Sequence, residues 1–482
     1  MDIESPRTTP DRLPARRFDA HGRPHLDLRV VARLTVPLVA NSAVQTILNL
    51  TDLWFIGHIS TAALAAVGGV NWLVIAVVLI LGGIGMAVQT RAAQLYGAGR
   101  LARAAQAAWM GLWGSVCAAP LFIAIALASH WVLAPFGLDP AIERTAGEFW
   151  LPRMAGASLG VAVWGVLGFF NGIGRPRATV LVTVLIAVVN IVFNAVFIFG
   201  LRWGVTGSGL ASTCAQAVGL VAALAMLLSP ALRREFRSHL VWRPRARVLW
   251  HQFRLGLPMG VTHASDLLGV ALFQLMQVRL GAIEGAATQL VMASTAIAYM
   301  PGIGVAQAGT TLVGQSIGAG DRDWAMRLGT RIIMLAAVLM GGIGLLLALA
   351  GPWVLSFLVG AGDGQTPAVL AMGTQLLWFA AAYQFFDGLN MGSGMCLRGG
   401  GDVTVPAVLV LVLSWCVFVP LSYILTFKPG DGFLPFLAHL GLPQLGYGVR
   451  GGWIALALYV LLLGGVLFLR WQLGVWKRYT VQ

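Results

Sequence analysis

Charge is what this chain has least of. Asp, Glu, Lys and Arg make up 10% of its 482 residues, against roughly 25% in a soluble domain. With 58% hydrophobic residues and a mean hydropathy of +0.81, so long a chain cannot cover itself with polar surface, and its solvent is lipid. Cysteine is scarce as well. Cys117, Cys214, Cys396 and Cys416 all lie in apolar stretches, with no metal-ligand spacing and no disulfide framework, and read as small buried hydrophobes. No Gly-x-x-x-x-Gly-Lys-Ser/Thr loop occurs, so nothing would cradle a nucleotide. Active transport would have to draw on an ion gradient, and neither cofactor nor enzyme activity is expected. A cleavable signal peptide is not evident. Residues 1–30 are polar and arginine-rich, with Pro6, Pro10, Pro14 and Pro24 among them. They read as a disordered cytoplasmic tail, which leaves the first apolar segment as the expected insertion signal.

What the chain does have is apolar runs of the length a bilayer core requires. They fall at about 34–56, 62–90, 106–129, 148–170, 178–200, 208–229, 255–278, 286–313, 332–358, 369–395, 404–427 and 451–469, which predicts twelve transmembrane helices. Sixty glycines fit that reading, because small residues let membrane helices approach closely. The net charge of +14 reports topology. Of the 32 Lys and Arg, only Arg144, Arg153, Arg202, Arg279, Lys428 and Arg450 fall in odd-numbered loops. The bias puts both termini in the cytoplasm, and the expected location is the cell inner membrane. No nucleic-acid partner is needed to explain it.

The two halves repeat. At an offset of 221 residues, Arg33-Leu34 matches Arg254-Leu255, Pro37 matches Pro258, Gly83 matches Gly304, Gln94 matches Gln315, and Gly97-Ala98-Gly99 matches Gly318-Ala319-Gly320. Gly172-Ile173-Gly174 then matches Gly399-Gly400-Gly401 at 227, and Gly204 matches Gly448 at 244. The last jump locates an insertion near 428–447. Six spans per half make the repeats parallel, related by an axis near the membrane normal. The expected organisation is a lobe over 31–230, a basic cytoplasmic linker over 231–250, a second lobe over 251–475 and a tail over 476–482. The linker carries Arg233, Arg234, Arg237, Arg243, Arg245 and Arg247, and a helix lying on the membrane surface would suit it.

Of the 18 Asp and Glu, all but Asp52, Asp266 and Asp387 fall in tails, loops or span ends. A carboxylate inside a span costs on the order of 3 kcal/mol or more and usually marks function. No basic residue within these spans offers itself as a partner, so each is expected to take a proton or bind a cation. Asn190 and Asn194 lie one helical turn apart on the fifth span, where their amides would satisfy a carboxylate or a sodium ion. His263 precedes Asp266 by three residues, the spacing of a possible proton relay. Gln274, Gln277 and Gln289 are candidate cavity linings, and most of the 17 tryptophans read as interface anchors. Pro37 and Pro258 open the first span of each half and are candidate hinges.

Several runs carry a family resemblance. Pro37 through Gly57, with Asp52-Leu53-Trp54-Phe55-Ile56-Gly57-His58 and then Ala65-Ala66-Val67-Gly68, resembles the first-helix region of the multidrug and toxic compound extrusion (MATE) transporters. Tyr96-Gly97-Ala98-Gly99, Asn171-Gly172-Ile173-Gly174-Arg175-Pro176 and Arg398-Gly399-Gly400-Gly401-Asp402 resemble its loop motifs. The likeness runs from about 30 to 470. It implies an all-α fold of two six-helix lobes in a V around a central cavity. It also implies efflux of cationic amphipathic compounds in exchange for protons or sodium ions. On that resemblance Asp52, Asn190 and Asn194 match the N-terminal-lobe site and Asp387 the tenth-helix carboxylate of the NorM-like branch. Asp266 stands where that branch usually has Glu, one methylene longer, which leaves the ion open. The expected protein is a monomeric antiporter whose partners are these substrates and the bilayer. A lipid-linked oligosaccharide flippase is the main alternative, but would want basic residues in its cavity. A non-transporting receptor or channel is the other.

Overall fold

A computed structural model describes residues 13–18, 24–134, 140–359, 366–429 and 443–478. Nearly everything described is helix. In chain order these are α1 (Leu28–Gly57), α2 (Thr61–Gly97), α3 (Leu101–Leu127), α4 (Ser129–Leu133), α5 (Pro140–Ala155), α6 (Ala157–Gly172), α7 (Pro176–Asn194) and α8 (Gly204–Leu227) in the first half. After α9 (Pro230–Phe236) the second half holds α10 (Ala246–Leu280), α11 (Ala282–Gly318), α12 (Arg322–Leu349), α13 (Gly351–Val359), α14 (Thr366–Gly399), α15 (Thr404–Val412), α16 (Val419–Thr426) and the last helix, Gly448–Gln472. Side-chain caps start several of them. Asp27, Ser60 and Asp321 accept from the backbone N–H groups of Arg29, Ala63 and Trp324, each satisfying a donor that the first turn leaves free.

Eleven helical segments can each cross a membrane, and α5 with α6 makes a twelfth, bent by 42°. The twelve expected spans are therefore present. The bend has a local cause. Pro152 withholds a donor, Thr213 Oγ1 bonds the Pro152 carbonyl at 2.9 Å, and α6 restarts after Gly156. The fifth and eleventh spans, equivalent in the repeat, each contain a π-helical turn, at Ala195–Gly200 and Leu413–Phe418. Such turns concentrate at functional sites. Pro37 and Pro258 lie inside α1 and α10, which both continue through them unbroken.

Two apolar cores are built from residues that precede α10, while the core of the second half also takes in Val31, Leu34 and Leu38 of α1. Between the halves, α2 packs on α10 and α11 packs on α1, an exchange of equivalent helices that the repeat symmetry demands. Small residues set the approach. A methyl group added at Gly83 would meet the backbone of Gly256 and Gly260 on α10, and one added at its repeat mate Gly304 would meet Val39 and the Thr35 carbonyl on α1. The hydrogen bonds across this seam gather at the end of the helices nearer the two chain termini. Gln94 Nε2 donates to the Gly399 carbonyl at 2.7 Å, and Gln315 Nε2 donates to the Gly172 carbonyl at 2.8 Å. Both donors and both acceptors are repeat mates. The halves thus close at one end, as the arms of a V do. Glycines also match where the backbone turns over: Gly99 and Gly320 have φ of +70° and +89°, and Gly174 and Gly401 have +75° and +84°, the left-handed region that favours glycine after a helix.

Three boundaries need correction. The N-terminal segment expected to be disordered is ordered where it is described. Arg16–Phe18 and Pro24–Leu26 pair as an antiparallel ribbon, Trp324 Nε1 donates to the Pro14 carbonyl at 3.0 Å, and Arg16 meets Asp321 at 3.7 Å. Paired backbone and a tryptophan donor hold what composition alone reads as tail. Residues 1–12 and 19–23 lie outside the described residues. The linker, in which a helix was expected, contains α9 (Pro230–Phe236), and it ends before 250 because α10 begins at Ala246. What remains is stitched to α3: Trp109 and Trp113 donate to the carbonyls of Ser238 and Trp242 at 2.8 and 2.7 Å. The expected C-terminal tail begins with a 3-10 turn, Val475–Arg478, whose Trp476 is buried and stacked on Trp471. Residues 479–482 and most of the insertion, 430–442, lie outside the described residues.

Candidate functional site

The three intramembrane aspartates occupy two sites, one in each lobe. In the first, α1 brings Asp52 against α7 and α8. Asn194 Nδ2 donates to Asp52 Oδ1 at 2.7 Å and to Asn190 Oδ1 at 3.0 Å, and Asn190 Nδ2 donates to Ser212 Oγ at 3.2 Å. The one-turn spacing of the two asparagines points both at the carboxylate, and Thr183 Oγ1 bonding Asn41 Oδ1 at 2.6 Å fastens α7 to α1. Asn190 and Asn194 are fully buried, and Asn194 Oδ1 has no partner. A carboxylate, an unpartnered amide oxygen and a hydroxyl thus converge. One basic residue was missed here. Arg153 of α5 had been assigned to an external loop, yet it lies near enough for its charge to act on Asp52. The bent α5 packs on α8 and α2, which brings its C-terminal arginine into the lobe. Among the described residues no ion pair within 4 Å joins the two.

The second site lines a cavity of about 570 Å³ in the C-terminal lobe, with Trp72 and Leu79 of α2 closing it from the other half. Asp266 of α10 and Asp387 of α14 both face it. Tyr459 of the last helix donates to Asp266 Oδ1 at 2.9 Å, and Asn390 Nδ2 reaches Asp387 Oδ1 at 3.5 Å. Tyr299 and Tyr383 complete an aromatic wall, and Met292, Met391 and Met395 add soft surface. Gln274 also lines the cavity, whereas Gln277 is buried away from it and Gln289 is exposed.

Two expectations fail in this cavity. The relay from His263 to Asp266 is not formed. His263 Nε2 instead stands 2.9 Å from Arg398 Nη2. A guanidinium only donates, so this imidazole nitrogen accepts and holds no proton to pass on. The expectation that no basic residue lines the cavity fails with it, because Arg398 does. Hydropathy puts Arg398 beyond the end of the tenth span, but α14 runs on to Gly399. Asp402, which also borders the cavity, is neutralised by Arg470 at 2.7 Å. Tyr459 and Ser212 were missed for a plainer reason: a hydroxyl in an apolar helix carries no signal until the fold shows what it touches.

Comparison with known proteins gives a consistent picture. The MatE family model matches residues 37–196 and 258–424, one segment in each half. A probable multidrug resistance protein NorM from Pseudomonas putida is 30% identical over 425 residues, which is 86% of this chain and 90% of that protein. Another, from Bradyrhizobium diazoefficiens, is 27% identical over 452 residues, 92% of each. Among solved structures, the outward-facing conformation of a multidrug resistance MATE transporter of the MOP superfamily superposes with a TM-score of 0.79. It covers 93% of this chain and 96% of that one at 20% identity, a likeness of fold.

Proposed function

This chain belongs to the MATE family of multidrug efflux transporters, and from that membership we propose that it exports cationic amphipathic compounds in exchange for protons or sodium ions. The observation that carries the reading is the C-terminal-lobe cavity. Two carboxylates, Asp266 and Asp387, face one 570 Å³ space, and among the described residues neither has an ion-pair partner within 4 Å. Such a site favours whatever cation enters it. Three tyrosine rings offer π faces to an organic cation, and methionines adapt to unlike shapes, which suits a broad substrate range. A proton or sodium ion loaded on the same carboxylates, or on Asp52, weakens the hold on the substrate, since one negative site cannot serve both cations at full strength. Alternating access then follows from rocking one six-helix lobe against the other. On this reading the protein works as a monomer in the inner membrane with both termini in the cytoplasm, the arrangement favoured by the arginine bias.

The flippase reading gains Arg398, but a single guanidinium against two carboxylates does not make a cavity for a pyrophosphate head. The test is ethidium efflux from drug-sensitive cells expressing the protein, under an imposed proton or sodium gradient. The parent is expected to clear dye under one of the two gradients, which identifies the ion, and Asp52→Asn or Asp387→Asn to lose most of that activity at equal expression. Full efflux in both variants would make the carboxylates structural.

A further inference from the structure

Arg398 is unexplained by a cavity built for cations alone. Its guanidinium has five N–H donors, and one nitrogen meets His263 at 2.9 Å. A neutral imidazole orients the group without balancing its charge. The carboxylates that border the cavity are engaged elsewhere: Asp266 by Tyr459, Asp387 by Asn390 and Asp402 by Arg470. Among the described residues, Arg398 therefore lines the cavity with no carboxylate within 4 Å.

Its position relative to the aspartates follows from helix geometry. His263 precedes Asp266 by three residues, a rise of about 4.5 Å along α10, so the guanidinium it holds meets α10 on the N-terminal side of Asp266. On α14 the residues Asp387, Asn390, Met391, Gly394, Met395 and Arg398 all line the cavity. They form one stripe at i, i+3, i+4, i+7, i+8 and i+11. A helical side chain leans toward the N-terminus of its helix, which tips Arg398 toward Asp387. The cavity is thus dipolar, with two carboxylates above and one guanidinium below. An Arg fork is suited to gripping a carboxylate through paired, charge-assisted hydrogen bonds.

We propose that Arg398, oriented by His263, is a subsite for an anionic group of the substrate, so that the cavity takes amphipathic zwitterions whose cation lies at Asp266 and Asp387 and whose carboxylate lies at Arg398. The inference rests on the transport reading above. It is tested with one xanthene dye in two forms, the ethyl ester, which is a cation, and the free acid, which is a zwitterion. Binding of each to the purified full-length protein is followed by fluorescence anisotropy, and gradient-driven uptake of each into proteoliposomes is followed in parallel. The parent is expected to bind and transport both. Arg398→Gln should weaken the acid about tenfold, the effect of losing one charge-assisted contact, while the ester, relieved of a like charge in the cavity, binds no more weakly, and a melting temperature near the parent's reports an intact fold. Arg398→Lys, a point charge without the fork, should fall between the two. A parent that handles the ester but not the acid would overturn the subsite and leave the transport reading standing. Equal losses for both dyes in Arg398→Gln, or unchanged binding of the acid, would overturn it as well. A parent that handles neither dye would remove the transport reading and the subsite together.

Discussion

Tyr459 shows what a single hydroxyl does beside an intramembrane carboxylate. Its O–H is the direct hydrogen bond to Asp266 among the described residues, at 2.9 Å, and its ring stacks on Phe418 with centroids 4.8 Å apart. The stack fixes the ring, and the ring fixes the carboxylate. Tyr459→Phe keeps the stack and removes only the donor. A hydrogen bond to a charged group contributes about 1.5–3 kcal/mol, so the melting temperature should fall by a few degrees, and the carboxylate, no longer held in place, should bind cationic dye about tenfold more weakly. Titration of purified variant and parent with the ester dye checks this, and equal affinities would mean that the carboxylate is held by something else. The aspartates themselves were legible in the sequence, because a charge inside a long apolar run stands out. So were the amides of Asn190 and Asn194, the second of which bonds Asp52; the hydroxyl partners were not. Tyr459 lies 193 residues from Asp266 and Ser212 lies 160 from Asp52, and nothing local in an apolar helix distinguishes a hydroxyl that meets a carboxylate from one that bonds its own backbone.

At the scale of the element, hydropathy found every span but shortened most of them. Arg91 shows why. It reads as the start of a loop, yet α2 continues to Gly97, and the buried guanidinium donates to the Val248 carbonyl at 3.1 Å and to Gln252 Oε1 at 3.4 Å on α10. A charge satisfied by the neighbouring helix does not end its own. The repeat was the stronger signal, since it paired Gly83 with Gly304 before either had a known contact. These glycines let α2 meet α10 and α11 meet α1 with backbones nearly touching. A side chain there has nowhere to go, and overpacking costs about 1–3 kcal/mol. Gly83→Leu and Gly304→Leu should therefore each lower the melting temperature by several degrees and reduce efflux. Gly342→Leu on α12, where an added Cβ meets nothing within 4 Å, should do neither. If all three variants behave alike, the seam is not close-packed and the argument from these glycines fails.

For the whole molecule, the question is what holds the two lobes together at one end while still letting them part. The seam is polar where it could have been greasy. Gln94 and Gln315 each donate to a backbone carbonyl in the opposite lobe, Gln89 Nε2 reaches Thr311 Oγ1 at 3.1 Å, and Thr311 Oγ1 bonds the Asn171 carbonyl at 3.0 Å. A purely apolar seam would have little reason to open toward water, whereas hydrogen bonds to backbone can be exchanged for water at small net cost. A typical one contributes about 1 kcal/mol, enough to bias a two-state equilibrium and too little to lock it. Gln94 and Gln315 are repeat mates acting on separate carbonyls, side by side where α2 crosses α11, so their contributions couple. Gln94→Leu or Gln315→Leu alone should shift the balance toward parted lobes by about 1 kcal/mol, roughly fivefold, and the double variant should shift it further than either. Spin labels at the exposed positions Arg103 and Arg322, one per lobe on this side, would report it as a growing long-distance population. A double variant with the parent's distance distribution would show that the glycine packing alone holds the lobes closed, and that the two glutamines serve only to satisfy backbone groups the seam would otherwise bury unpaired.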